Sequence, residues 1–110
     1  MAPRLPAIAL MVLAACSSSD RQAPAAARVV VLPSPAGPQS GEPFLATDAA
    51  GAVHMTWIEK TSDSTYAVRY ARLDEATWSR PTTVVERHDL FVNWADYPSV
   101  IATPSGRLLV

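Results

Sequence analysis

The chain has 110 residues, a formal net charge of −1 and a single cysteine. This length suffices for one small domain, and one cysteine excludes an internal disulfide. No basic cluster is present, so a nucleic-acid partner is not expected. His54 and His88 have no partners at metal-ligand spacing, and no glycine loop suited to phosphate follows a strand. We therefore predict neither a metal site nor a cofactor.

The chain begins with a cationic segment over residues 1–4 and an uncharged apolar run over 5–15. This run is much shorter than the roughly 20 residues that span a bilayer, and polar residues follow it directly, which argues against a membrane-spanning or core helix. Its end, Leu13-Ala14-Ala15-Cys16, resembles the lipobox of bacterial lipoprotein signal peptides. A plain secretory signal fits less well, because Leu13 would stand where that signal prefers a small residue.

The lipobox resemblance implies cleavage before Cys16 and lipid attachment to its sulfur. The expected partner is then a membrane of the cell envelope, and Ser17 after the cysteine favours the outer membrane in a diderm bacterium. We expect a signal peptide over 1–15, then the lipidated cysteine and a flexible linker over 16–42. The linker is rich in Ser, Ala and Pro, and its β-branched run at 28–32 is the one part that could form a strand.

Residues from 43 onward alternate between apolar and polar side chains and are punctuated by turn residues. The pattern predicts strands over 45–47, 52–59, 66–73 and 81–86. A tight turn is predicted at 48–51, with Asp48 first and Gly51 last. We find no helical period in this region and predict an all-β fold, an antiparallel meander of four strands.

Residues 43–55 and 98–110 form a partial repeat, in which Pro43 corresponds to Pro98. Gly51 and Gly106 also coincide. Any two hairpins can share a turn glycine, but four-stranded propeller blades recur at about 40–50 residues, which is close to this spacing. Because 108–110 ends within a predicted strand, we expect a truncated chain that lacks its C-terminal blades.

The segment 77–81 reads Thr-Trp-Ser-Arg-Pro. This resembles the end of the Asp box, Ser/Thr-x-Asp-x-Gly-x-Thr-Trp, of sialidase-like β-propellers. The start of the box departs from the family, because Asp74 is one residue too close to Trp78 and Ala76 stands where glycine is expected. The resemblance implies that 43–110 forms the first blade and the start of a second, in a propeller of six blades at full length. It gives Trp78 a structural role, which we also expect for Trp57.

The resemblance does not decide whether the protein is an enzyme. Sialidases of this family bind sialic acid with three arginines and use a tyrosine nucleophile with an aspartate acid/base. The first of these arginines belongs to an Arg-Ile-Pro motif. When the proline of that motif is aligned on Pro43 or on Pro98, Gly41 or Asp96 stands at the arginine position. Asp63 is the nearest counterpart of the acid/base by position, and Asp96 is a second catalytic candidate.

The connection over 86–97 concentrates polar and aromatic residues between two predicted strands. Trp94 and Tyr97 are candidate ligand-binding residues, because aromatic rings can stack on a sugar. Two functions remain: a sialidase-like glycosidase acting on glycans, and a non-catalytic surface propeller that binds a glycan or a protein.

Overall fold

A computed structural model describes residues 26–110 of this protein. The predicted signal peptide and Cys16 lie outside the described residues. Residues 26–110 contain no helix, and thus none that could cross a membrane. The all-β class is therefore confirmed. The strands are β1 (Ser40–Thr47), β2 (Val53–Ser62), β3 (Thr65–Asp74), β4 (Thr77–Trp78), β5 (Thr82–Arg87), β6 (Ile101–Ala102) and β7 (Leu108–Leu109).

The main sheet is an antiparallel meander, as predicted, but it has five strands and not four, because the short β4 was not expected. Strands β1, β2 and β3 pair in chain order, and β4 and β5 pair in succession along the other edge of β3. β1 begins five residues earlier than predicted, at Ser40. An irregularity between Gly41 and Phe44, with Glu42 at a φ of 51°, allows the strand to continue past Pro43.

Residues 28–32 do not form a strand in this structure. Val29, Val30 and Val31 of this run are exposed, and no strand pairs with it within the described range. β-propensity alone does not form a strand, because the run must also be paired with the edge of another strand. Two prolines, Pro33 and Pro35, follow the run at once and lack the amide hydrogen that a sheet ladder needs.

One face of the sheet carries a small apolar core. Met55, Trp57 and Ala71 are buried together, and Ala36 and Trp78 pack against them. Trp57 is 1% exposed. The predicted structural roles of Trp57 and Trp78 are therefore confirmed, and the linker residue Ala36 belongs to the folded domain.

The opposite face of β2 is also covered. His54, Thr56 and Ile58 are buried on it, although two of them are polar. The chain after β5 returns across this face, where the Thr56 hydroxyl donates a hydrogen bond to the carbonyl of Pro98. Val100 is buried beside this contact and leads into the β6–β7 hairpin. β2 is therefore the central strand, with chain on both of its faces.

The two turns of the partial repeat have the same backbone hydrogen bonds. Gly51 donates to the carbonyl of Asp48 at 3.1 Å, and Gly106 donates to the carbonyl of Thr103 at 2.9 Å. Each turn is closed by a second bond, from Asp48 to Ala52 at 3.0 Å and from Thr103 to Arg107 at 2.8 Å. Both glycines have positive φ, 87° and 79°. The offset of the sequence repeat is therefore also the offset of a repeated turn.

Candidate functional site

The loop that follows β5 is held at its start by an ion pair. The Arg87 guanidinium donates to both carboxylate oxygens of Asp89, from Nε at 2.7 Å and from Nη2 at 2.6 Å. These bonds hold the pKa of Asp89 below its ordinary value. Both side chains are more than half exposed, so this pair lies at the surface where the chain leaves the sheet.

The end of the loop is held by an aromatic stack. The rings of Phe44 and Tyr97 are nearly parallel, with centroids 5.4 Å apart. Pro98, the next residue, accepts the hydrogen bond from Thr56 on the central strand. One side of Tyr97 therefore packs against β1, so this predicted ligand-binding residue also anchors the loop.

The middle of the loop is a turn organised by Asn93. Its side-chain oxygen accepts hydrogen bonds from the amides of Ala95 at 2.7 Å and Asp96 at 3.2 Å. Its side-chain nitrogen donates to the Asp96 carboxylate. The turn displays Trp94, whose side chain is 90% exposed. Because the indole is exposed and the turn is held by the Asn93 hydrogen bonds, Trp94 is available for contact with a ligand.

An apolar pocket of about 230 Å³ lies under this loop. Its lining is Ile58, Val68, Leu90, Phe91, Asp96, Tyr97 and Pro98. The lining therefore combines aliphatic and aromatic surface with the Asp96 carboxylate. The apolar lining can contact an apolar ligand face, and the Asp96 carboxylate can accept a hydrogen bond from a hydroxyl group.

The structure does not bring the two catalytic candidates into one pocket. Asp63 lies exposed in the turn between β2 and β3, outside the lining of the pocket that contains Asp96. Asp96 is engaged by Asn93, and its backbone belongs to the turn. A pair of carboxylates flanking one bond, which most glycosidases use, is not formed by these two residues.

A second polar cluster was not predicted from the sequence. His54 is 4% exposed and is hydrogen bonded through both ring nitrogens. Its Nε2 lies 3.1 Å from Oδ2 of Asp48, and its Nδ1 lies 2.8 Å from the phenolic oxygen of Tyr70. Oδ1 of Asp48 accepts from the amides of Ala50 and Ala52, each at 2.9 Å. The Asp48–His54–Tyr70 cluster thus connects the β1–β2 turn to β3.

The chemistry of this cluster favours support over catalysis. In the tautomer with its proton at Nε2, the ring donates to the Asp48 carboxylate and accepts a hydrogen bond at Nδ1 from the Tyr70 hydroxyl. The hydrogen bond from His54 holds the pKa of Asp48 below its ordinary value, and burial raises the pKa of Tyr70. A tyrosine with a raised pKa is a poorer nucleophile at neutral pH. The sequence signal for this cluster is the spacing of its residues. Asp48 and His54 flank one turn, and Tyr70 lies on the next strand.

An ion pair lies on the other face of the sheet. Nη2 of Arg69 is 3.0 Å from Oε1 of Glu59, and both side chains are about three-quarters buried. Arg69 also donates to the hydroxyl of Thr83. Burial acts to raise the pKa of Glu59, but the Trp57 indole and the Arg69 guanidinium outweigh it and leave that pKa below its ordinary value. This pair connects β2 to β3 and β5 and does not open into the loop pocket.

Residues 26–110 contain no group of three or more His, Cys, Asp or Glu side chains that could hold a metal ion. No family model matches the chain, and no curated protein or solved structure matches it at a significant level. Function is therefore inferred from the geometry of the loop and its pocket.

Proposed function

We propose that this protein is a lipid-anchored, non-catalytic binding protein of the cell envelope that holds a glycan on the loop of residues 88–99. The observation that carries this proposal is the exposure of Trp94 on a turn that Asn93 organises. The face of an indole is a platform for the apolar face of a sugar ring.

The contacts that order the loop support its role in binding. A loop that is already ordered loses less conformational entropy when its ligand binds, so more of the contact energy appears as affinity. The stack of Tyr97 on Phe44 holds the end of the loop against β1, and the exposed Arg87–Asp89 pair lies at its start. Asp96, at the pocket, supplies a hydrogen-bond acceptor for a sugar hydroxyl.

Two observations favour binding over hydrolysis. Asp63, the positional counterpart of the sialidase acid/base, lies exposed and outside the pocket that contains Asp96. Burial raises the pKa of Tyr70, so little of its phenolate is present at neutral pH. The sialidase-like hydrolase is therefore the weaker of the two functions.

The proposed architecture is a β-propeller. The main sheet is then the first blade, and the β6–β7 hairpin is the start of the second, with six blades in the complete ring. The repeated turn at Gly51 and Gly106 supports this arrangement, and so does the covering of β2 on both faces. Blades of a propeller stack in this way and need their neighbours to bury their faces.

The binding proposal is tested with a glycan array probed by the full chain. The variant Trp94→Ala should lose binding, while Trp94→Phe, which keeps an aromatic ring, should retain most of it. Binding that is unchanged in Trp94→Ala would exclude the loop as the platform. Release of the fluorophore from a fluorogenic sialoside would replace the proposal with the hydrolase.

The anchor is tested separately, by metabolic labelling with a fatty-acid probe. The native chain should take up the label and move to the membrane fraction, and Cys16→Ser should do neither. The matched control is Ser17→Ala, which alters the adjacent residue and leaves the acceptor sulfur in place. Equal labelling of the native chain and Cys16→Ser would exclude lipid attachment at this residue.

A further inference from the structure

The run at residues 28–32 places apolar side chains in water. Val29, Val30 and Val31 are 88%, 61% and 91% exposed. Three successive β-branched residues have the highest preference for a paired strand, and burial of such side chains is favourable. Their exposure therefore indicates a segment without its partner.

The outer edge of β5 is a free strand edge. Among the described residues, β5 pairs with β3 and with no other strand, so one of its edges presents unpaired amide and carbonyl groups. Val84 on this strand is also exposed. An open edge of this kind accepts a further strand.

The chain itself brings the run to this edge. Pro33 and Pro35 lie against residues 76–81, in a cleft that includes Trp78 and Pro81. β5 begins at the next residue, Thr82. Pro33 is thus held near the start of β5, and the five residues before it are long enough to run antiparallel to that strand.

We propose that residues 28–32 close onto the outer edge of β5 in the same chain, as an added antiparallel strand. The register follows from charge. With Arg28 opposite Glu86, the two charges are complementary, and Val30 reaches the irregularity of β5 at Val84, which has no partner on β3. A shift of one residue would place Arg28 opposite Arg87, where like charges repel.

Closure makes the end of the linker part of the sheet. Pairing satisfies the edge of β5, which protects it from pairing with another molecule. It also covers the exposed valines at the point where the chain leaves the domain. The interaction surface is the outer edge of β5, and its partner is the chain's own N-terminal run.

Hydrogen exchange of the full chain, measured peptide by peptide with mass spectrometry, tests the proposal. The peptide covering 28–32 should exchange at least about tenfold more slowly than the exposed turn at 63–64. The double variant Val29→Pro/Val30→Pro removes an inward-facing amide in either strand phase, so it should abolish protection in 28–32 and reduce it in 82–87. The control Val29→Thr/Val30→Thr keeps β-branched residues and should retain both.

Charge exchange tests the register. Arg28→Glu should reduce protection of 28–32, and the double variant Arg28→Glu/Glu86→Arg should restore it. Exchange of 28–32 in the native chain at the rate of the exposed turn would overturn the proposal. Protection that increases with protein concentration would overturn it too, because the added strand would then come from a second copy.

Discussion

Nδ1 of His54 lies 2.8 Å from the phenolic oxygen of Tyr70, on the neighbouring strand. The two residues are not direct partners in the ladder, because His54 is opposite Arg72 and Tyr70 is opposite Thr56. The hydrogen bond is therefore a diagonal across the β2–β3 pair. Since Nε2 of His54 contacts Asp48, the same imidazole also holds the turn that begins β2.

Tyr70→Phe should weaken this sheet. The change leaves a buried ring nitrogen of His54 without its partner, at a cost of about 1–3 kcal/mol. Hydrogen exchange of the β2 and β3 amides should accelerate roughly tenfold, since about 1.4 kcal/mol corresponds to that factor. Tyr66→Phe, on the same strand and face, is the control and should have a smaller effect. Equal acceleration in both variants would contradict a specific role of the His54 contact.

Acid should destabilise the fold through Asp48. Its pKa is below the ordinary value of 3.8 because His54 and the turn amides stabilise the carboxylate. A lowered pKa means that this stabilisation is complete above the unfolded pKa and is lost as the pH falls through the folded one. Asp48→Asn should therefore unfold at lower urea than the native chain at about pH 6 and differ little from it at about pH 2. A constant difference between the two urea midpoints would exclude this linkage.

Two ion pairs of similar length should differ in their contribution to stability. The Glu59–Arg69 pair is 3.0 Å long and mostly buried, while the Arg72–Asp74 pair is 2.9 Å long and about half exposed. Glu59→Gln leaves a mostly buried guanidinium without its counter-charge and should cost about 1–3 kcal/mol. Asp74→Asn should cost less than about 1 kcal/mol. Urea midpoints measure both, and the reverse order would show that burial does not set these contributions.

Substitution of Trp57 should reduce the stability of the fold, whereas substitution of Trp94 should affect only ligand binding. Trp57 is buried in the core of the sheet, so Trp57→Ala should cost about 3–5 kcal/mol. Trp94 is exposed, and Trp94→Ala should change the free energy of unfolding by less than about 0.5 kcal/mol. Circular dichroism of the two variants checks this contrast. A large loss of β structure in Trp94→Ala would show that the indole is part of the fold.

The two turn glycines should respond alike to substitution. Gly51 and Gly106 both have positive φ, and a Cβ atom at either position would contact no other group within 4 Å. Alanine there carries only the backbone penalty, about 1–2 kcal/mol. Gly51→Ala and Gly106→Ala should therefore accelerate amide exchange in their own hairpins by similar factors. A large effect at one turn and none at the other would argue against equivalent turns.

The meander could be predicted because its signals are local. Alternation in β2 and β3 and the residues of the 48–51 turn indicate strands and a reversal without reference to distant parts of the chain. Trp57 was assigned to the core for the same reason, since it lies on the apolar face of β2 with Met55. Predicted strand ends were less accurate, because the irregularity at Gly41 extends β1 in a way that composition does not indicate.

The candidate site was predicted in part. Trp94 and Asp96 lie on one turn, as adjacency in the chain suggests, but the stack of Tyr97 on Phe44 joins residues that are far apart in sequence. The Asp48–His54–Tyr70 cluster was missed because its members come from a turn and two strands. Which side chains meet across strands depends on register, and register is decided by the whole sheet.

The sequence by itself determined the all-β class, the order of the main strands, the turn glycines and the aromatic character of the loop, since each depends on the preferences of neighbouring residues. Tertiary structure alone decided that β2 is covered on both faces and that His54 is buried between Asp48 and Tyr70. The physical reason is that burial and pairing are relations between distant segments. A polar residue such as Thr56 is buried only because Pro98 returns to accept its hydrogen bond.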